Sequence, residues 1–185
     1  MELLLVRHAL PERLAVTVGA ADPPLAAAGE QQADHLAAYL SVERIAAVYS
    51  SPMRRARETA APIAARLGLG VTVVDHVAEW DRDAAEYVPV ETLKATGDPR
   101  YLEVTRDAWS DLSIMTPFRA RVVAAIEGLI AAHAGERIVV ACHAGVVNVF
   151  LGEVLGLPVD GRGFLYPDYT SIHRVAASRD GRRSI

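Results

Sequence analysis

The chain has 185 residues, of which 51% are hydrophobic and 23% charged, so it can bury a full core and is not disordered. Its net charge of -4 and pI near 5.9 exclude a generally basic surface for nucleic acid or anionic lipid. An anion would therefore have to be bound by a local cluster of cations. The length favours one domain, covering residues 1–185.

Cysteine usage and the amino terminus indicate where the protein works. Cys142 is the lone cysteine, which excludes an internal disulfide and fits a reducing compartment. Met1 leads straight into an apolar run, so we expect no signal peptide, and no apolar stretch reaches the roughly 18 residues of a membrane helix. The sequence predicts a cytoplasmic protein that binds neither nucleic acid nor membrane.

The first predicted element is a short strand over residues 3–6, whose apolar residues are typical of burial on both faces. It ends at two adjacent polar residues, Arg7 and His8. A loop over 11–24 follows, and a helix over 26–40 has its apolar residues on one face.

A second strand is predicted near residues 46–49, followed by a helix over 52–67. Ser51 is a suitable N-cap for that helix, and Pro52 suits its first position. Gly68 is suited to end the helix, because glycine readily adopts the backbone conformation of a C-terminal cap. A third strand is expected over 71–75.

The pattern loosens over residues 76–116, which predicts a small helical excursion. After it come a long helix from Thr116 to Gly135, a buried strand that ends at His143, a helix over 146–155 and a last strand over 169–178. Alternating strands and helices favour an α/β fold, with a mainly parallel central sheet covered on both sides.

Two histidines and a group of arginines are the candidate functional residues. His8 and His143 each follow a buried strand, and the carboxyl ends of parallel strands meet at one edge of a sheet. Arg54, Arg55 and Arg57 cluster at a helix start, where added cations favour a bound anion. Neighbouring helical residues point in different directions, so at most two of these arginines can face one site.

These residue types suit phosphoryl transfer. Guanidinium groups bind phosphate oxygens bidentately, and a histidine can attack phosphorus to give a phosphohistidine. An acid is needed for the leaving oxygen, and Glu79, Asp81 and Asp83 all remain candidates. The sequence has neither common metal-ligand spacings nor a phosphate-binding GxxxxGK[ST] loop, so we expect no metal and no cofactor. The other histidines are expected to be ordinary core or surface residues: His35, His76, His133 and His173.

Together these motifs resemble the histidine phosphatase superfamily, also called phosphoglycerate mutase-like. The similar segments are VRHAL at the first strand, DPPLAAAGEQQA, SSPMRRARETA, HVAEW, FRARV, CHAG and YTSIHRV. They span residues 3 to about 175. The resemblance implies a three-layer fold with the excursion (about 76–116) as a lid over the site.

The resemblance also implies the roles of individual residues. His8 would be the nucleophile, and Arg7, Arg55 and His143 would hold the phosphoryl group, with a backbone amide donor near Ala144. Glu79 would be the general acid. The sequence departs from the family pattern where Ala9 replaces a glycine and where WDRD replaces a glycine-tryptophan-glutamate-glycine run after the acid.

The expected activity is metal-independent hydrolysis of phosphomonoesters of small metabolites. A phosphohistidine or phosphoprotein phosphatase, a cofactor-dependent phosphoglycerate mutase and a non-catalytic phosphate-binding module remain alternatives. Residues around the pocket would read the rest of the substrate, and the candidates are Pro11, Glu12, Arg13, Trp80, Asp81, Arg82 and Tyr87. Members of the family often pair, so a homodimer is possible.

Overall fold

The computed structural model describes residues 1–158 and 163–185, and only the backbone of residues 107 and 108. The strands have these bounds: β1 (Glu2–Arg7), β2 (Leu14–Ala15), β3 (Ala47–Ser50), β4 (Val71–Val73), β5 (Glu86–Tyr87), β6 (Arg137–Cys142), β7 (Ile172–Ala177) and β8 (Arg183–Ser184). The helices have these bounds: α1 (Ala27–Leu40), α2 (Arg54–Leu67), α3 (Val90–Thr96), α4 (Arg100–Leu102), α5 (Ala108–Ser110), α6 (Leu112–Ala132) and α7 (Ala144–Val154).

Six strands form the central sheet, in the order β4-β3-β6-β1-β7-β8. Neighbours among β4, β3, β6 and β1 are parallel, whereas β7 and β8 add antiparallel pairs at one edge. The predicted α/β fold with a mainly parallel sheet is confirmed. Among the described helices, none combines the length and the apolar composition that a bilayer crossing requires.

Helices cover both faces of the sheet because β1 is apolar on both of its sides. Leu3 and Leu5 belong to a core formed with α6 and α7, whereas Leu4 and Val6 belong to a core formed with α1 and α2. All four side chains are fully buried. Burial of each stabilises the fold by about 1.5–3 kcal/mol, so the strand that carries the site is firmly held.

The loop after β1 packs tightly against the first turn of α1. A Cβ on Gly29 would lie 2.0 Å from the carbonyl oxygen of Leu10, so only glycine allows this approach. Gln32 strengthens the contact, since its Oε1 accepts from the Leu10 backbone N–H at 2.9 Å. The chain just beyond His8 is thereby fixed to a rigid helix.

The starts of two helices differ from the sequence prediction. α2 begins at Arg54, and Ser51 is not its N-cap, because the Ser51 hydroxyl is engaged at the sheet edge by His143. The long helix α6 begins at Leu112, one turn before Thr116, since the Asp111 side chain caps it by accepting from the Ser113 N–H at 2.9 Å. Pro117 consequently lies inside α6.

The excursion contains the predicted short helices and one element that the sequence did not indicate. A 3-10 turn over Asp75–Val77 leads to β5, and α3, α4, a π-helical turn over Glu103–Asp107 and α5 follow. β5 pairs with β2 in a separate two-stranded sheet. Each strand has two residues, too few for a hydrophobic pattern to reveal them. This pairing ties the first loop to the excursion.

Candidate active site

His8 lies directly beyond the end of β1 and is 3% exposed. Its Nδ1 is 2.8 Å from the Ala9 carbonyl oxygen, which can only accept, so we assign the ring proton to Nδ1. Nε2 then carries a lone pair, and it accepts from Arg55 Nε at 3.3 Å. Burial, together with the charges of Arg55 and Arg7, holds the pKa of His8 well below its usual range. The ring is therefore neutral and nucleophilic.

Arg7 is the last residue of β1, and its guanidinium is held from three directions. Nη1 donates to Glu91 Oε1 at 2.7 Å and to the Pro167 carbonyl oxygen at 2.6 Å. The guanidinium carbon lies 4.0 Å from the centre of the Tyr169 ring. These contacts fix a buried cation in one orientation.

Arg55, the second residue of α2, is 1% exposed. Its guanidinium carbon lies 4.4 Å from the centre of the Tyr87 ring, and Nη2 is 3.9 Å from Asp81 Oδ1. Thr59, one turn later, joins this helix to β1: its hydroxyl accepts from the Ala9 N–H at 2.9 Å and donates to the Arg55 carbonyl at 2.7 Å. The nucleophile and the second cation are thus positioned by one buried hydroxyl.

His143 follows β6, the strand next to β1, and its ring centre is 5.1 Å from that of His8. Its Nε2 is 2.7 Å from Ser51 Oγ, which itself accepts from the Met53 N–H. We assign the serine proton to that bond, so Nε2 accepts and Nδ1 carries the ring proton. Burial first, and then the charge of Arg55, hold the pKa of His143 well below its usual range. Its neutral ring offers an N–H donor.

Glu79 brings a carboxyl group to the amino terminus of α7. Its Oε2 accepts from the Gly145 N–H at 2.8 Å and its Oε1 from the Trp80 N–H at 3.1 Å. Burial, with the nearby Asp81 carboxyl as a second cause, raises the pKa of Glu79 to about 7. Burial also raises the pKa of Asp81, against the opposing charge of Arg55. Glu79 can therefore give up or take a proton near neutral pH.

A cavity of about 420 Å³ connects these groups. Its floor includes Arg7, His8, Arg55 and Glu79, and its walls come from the excursion and from residues 163–167. Among the described residues, no three His, Cys, Asp or Glu side chains are grouped in a way that could hold a metal ion.

Buried polar atoms without a hydrogen-bond partner concentrate here. Among the described side chains, those atoms are Arg7 Nε, Arg55 Nη1, Asp81 Oδ1, Glu91 Oε2, His143 Nδ1 and Tyr169 Oη. Each belongs to a residue that lines the cavity or contacts Arg7 or His8. Buried polar groups normally have partners, so the three nitrogens are donors suited to an anionic ligand.

The structure brings most of the predicted site residues together. Those lining the cavity are Arg7, His8, Arg55, Glu79, Trp80, Asp81, Tyr87 and Ala144, with His143 next to His8. Glu12 is exposed and is not among the lining residues, so its role in substrate binding stays a prediction. Its backbone N–H donates to the Pro24 carbonyl oxygen at 2.9 Å within the first loop.

Other candidates also lie outside the cavity. Arg13 pairs with Glu86 at 2.8 Å, and Arg82 pairs with Asp75 at 3.0 Å. Pro11 is buried and Asp83 is exposed, and neither is among the lining residues.

The other two arginines at the start of α2 and the other four histidines lie outside the cavity. Arg54 and Arg57 are exposed, and Arg54 pairs with Glu58 at 2.6 Å. His35 and His76 are also exposed. The last two histidines are bonded away from the cavity, His133 to Tyr49 and Glu136 and His173 to Ser171.

Four supporting residues were not singled out from the sequence: Ser51, Thr59, Glu91 and Tyr169. Ser51 and Thr59 stand in the quoted SSPMRRARETA segment, where a site role could have been suspected. Glu91 and Tyr169 come from remote parts of the chain and reach Arg7 only through the fold. No local pattern identifies them.

The chain matches known proteins in both sequence and fold. The histidine phosphatase superfamily (branch 1) matches residues 3–185. Over 83 residues the chain is 41% identical to phosphoserine phosphatase 1 of Hydrogenobacter thermophilus, covering 44% of this chain and 39% of that protein. Over 197 aligned positions it is 32% identical to a bifunctional protein of Mycobacterium tuberculosis, covering 99% of this chain and 52% of that protein. The chain thus spans at most about half the length of these two relatives.

A solved structure shares the fold. The mycobacterial glucosyl-3-phosphoglycerate phosphatase superposes with a TM-score of 0.73 at 20% identity, covering 99% of this chain and 95% of that one. Since the family match extends over almost the whole sequence, the chain belongs to the histidine phosphatase superfamily, branch 1. The resemblance seen in the sequence is confirmed. The family to which the chain belongs is one of phosphatase-type hydrolases.

Proposed function

We propose that the protein is a metal-independent phosphatase that hydrolyses phosphomonoesters of small metabolites through a phosphohistidine on His8. The observation that carries this proposal is that Arg7, Arg55 and His143, the neighbours of His8, each keep a buried nitrogen donor without a partner, beside the unprotonated His8 Nε2. The two guanidinium groups compensate charge on the equatorial oxygens of the transferring group. They also support phosphate binding before the reaction.

In the first step, the His8 Nε2 lone pair forms a bond to phosphorus while the ester P–O bond breaks. The proton of the Glu79 carboxylic acid goes to the leaving oxygen, which departs as the alcohol. A carboxyl with a pKa of about 7 retains enough of its protonated form for this at neutral pH. The products of this step are the alcohol, phosphohistidine and the Glu79 carboxylate.

In the second step, the Glu79 carboxylate takes a proton from water, and the water oxygen attacks phosphorus. The P–N bond breaks, its electron pair returns to His8 Nε2, and inorganic phosphate leaves. Glu79 is again protonated. One carboxyl therefore serves first as acid and then as base. Burial permits this, because it raises the pKa of Glu79 to about 7 and both protonation states are populated near neutral pH.

The test is hydrolysis of p-nitrophenyl phosphate in the presence of a chelator, comparing wild type with His8→Ala. The matched control is His35→Ala, because His35 is exposed and outside the cavity. We expect turnover in wild type and His35→Ala and none in His8→Ala, with all three unfolding at similar temperatures. Phosphate on histidine, stable in alkali and labile in acid, should be trapped on wild type and His35→Ala but not on His8→Ala. Turnover that survives in folded His8→Ala would refute the proposal.

A further inference from the structure

The cavity is larger than a phosphoryl group requires. Its volume of about 420 Å³ falls in the range of sites that enclose a drug-sized ligand. The polar floor occupies one end, and most of the remaining wall comes from the excursion and from residues 163–167. The rest of the substrate must therefore meet this outer wall.

The outer wall is largely apolar. Its apolar side chains include Val88, Val90, Val104, Trp109 and Phe164. Phe164 is 46% exposed and Val104 37% exposed, so both present apolar surface that a ligand could cover. A hydroxyl-rich alcohol placed against these side chains would leave hydroxyl groups without hydrogen-bond partners, which is unfavourable.

The charges of the outer wall disfavour a second anionic group. Among the described lining residues, Arg100 is the one cation besides Arg7 and Arg55. It is already paired, at 3.1 Å with Glu86 and at 2.7 Å with Asp98. Glu103, a lining carboxylate, would repel an added negative charge.

A positively charged group gains little from Glu86, because Arg100 and Arg13 both contact that carboxylate and so offset its charge. We propose that the substrate is a phosphomonoester of an apolar alkyl or aryl alcohol, with the phosphoryl group as its one charged group. This inference rests on the proposed function, since it assigns the outer wall to the leaving group of the same reaction.

Binding can be tested separately from turnover. Alkylphosphonates of two to eight carbons resist hydrolysis, and their dissociation constants for the wild-type protein can be measured by calorimetry. Burial of each methylene should lower the dissociation constant about threefold to fourfold until the chain fills the cavity. A dissociation constant that does not change with chain length would overturn the inference, whether or not the protein is an enzyme.

Turnover is then compared among hexyl phosphate, 6-aminohexyl phosphate and 6-carboxyhexyl phosphate. Their alcohols leave with similar ease, so differences in kcat/KM report on the outer wall. We expect hexyl phosphate to be preferred by at least about tenfold over both charged esters. Preference for either charged ester would contradict the inference, whereas absence of turnover with tightening of phosphonate binding would contradict only the proposed function.

A pair of variants tests which side chains cause the dependence of binding on chain length. Phe164→Ser should remove most of the gain with chain length, so that the dissociation constant of octylphosphonate rises toward that of ethylphosphonate. Leu102→Ser is the matched control, since Leu102 is 56% exposed on the same excursion but does not line the cavity. Equal chain-length dependence in both variants and wild type would refute the assignment of this wall.

Discussion

The carboxyl group of Glu79 occupies the space that a side chain at residue 145 would need. Glu79 Oε2 accepts from the Gly145 N–H at 2.8 Å, and a Cβ on Gly145 would lie 2.1 Å from Glu79 Oε1. Glycine at this position therefore permits the acid to sit on the amino terminus of α7, where the helix dipole also favours its carboxylate.

Gly145→Ala should displace the Glu79 carboxyl and reduce kcat for alkyl phosphates by about 100-fold, as expected when an acid is misplaced by about 1 Å. The measurement is steady-state kinetics of the purified variant. Gly128→Ala in α6 is the control, because nothing lies within 4 Å of a Cβ there. Unchanged kcat in Gly145→Ala would show that the position of the Glu79 carboxyl does not limit the reaction.

Glu79→Gln should separate substrates by leaving group. An alkyl phosphate needs its leaving oxygen protonated, so its kcat/KM should fall by about 100-fold or more, whereas that of p-nitrophenyl phosphate should fall much less. The variant also lacks a base for the second step, so rapid mixing should reveal a burst of about one equivalent of nitrophenol. Equal losses for both esters, without a burst, would count against Glu79 as the acid.

The raised pKa of Glu79 also predicts how stability depends on pH. Below its ordinary pKa of 4.5 the carboxyl is protonated in both the folded and the unfolded chain, and between 4.5 and about 7 only the folded chain keeps the proton. The free energy of unfolding should therefore fall by about 3 kcal/mol as pH rises through this window, relative to a protein without the group.

Urea unfolding at pH 4.5, 6 and 8 measures this contribution. The Glu79→Gln variant should lose less stability than wild type between the first and last pH. Glu30→Gln should retain the wild-type dependence, because Glu30 is exposed. If the free energies of unfolding of wild type and Glu79→Gln change equally with pH, the raised pKa of Glu79 is contradicted.

The ion pair between Arg7 and Glu91 predicts a positioning role for Glu91. Glu91→Ala would leave the buried Arg7 guanidinium without its carboxylate partner at 2.7 Å, and kcat/KM should fall by about 10- to 100-fold, mainly through KM. Glu91→Gln keeps an oxygen acceptor and should restore most of the loss. If both variants bind substrate as wild type does, the other contacts of Arg7 suffice to orient it.

Thr59 should matter for stability. Thr59→Val preserves the shape of a fully buried side chain but leaves the Ala9 N–H without an acceptor, so the free energy of unfolding should fall by about 1–3 kcal/mol. Thr92→Val, at an exposed position, should change it by less than about 0.5 kcal/mol. Equal stability of the two variants would mean that the Ala9 N–H finds another partner.

The local pattern of apolar and polar residues was sufficient to predict the fold class and the polar residues at which the buried strands end. Residues 3–6 of β1 and 138–142 of β6 are apolar, so the burial of these strands, their parallel pairing and the placement of His8 and His143 at one sheet edge follow from the sequence. The distinction between Arg55 and its neighbours was available only through the family resemblance. Helix periodicity alone limits how many arginines face the site.

Tertiary structure decided what surrounds those residues. The pairing of Arg7 with Glu91, the position of the Glu79 carboxyl on Gly145 and the pairing of β2 with β5 all join segments distant in the chain. Hydrophobic periodicity describes each segment against water and carries no information about which remote segment will cover it. The sequence by itself therefore determined the sheet and the placement of His8 and His143 at its edge, whereas long-range packing decided the proton chemistry of Glu79 and the apolar wall above it.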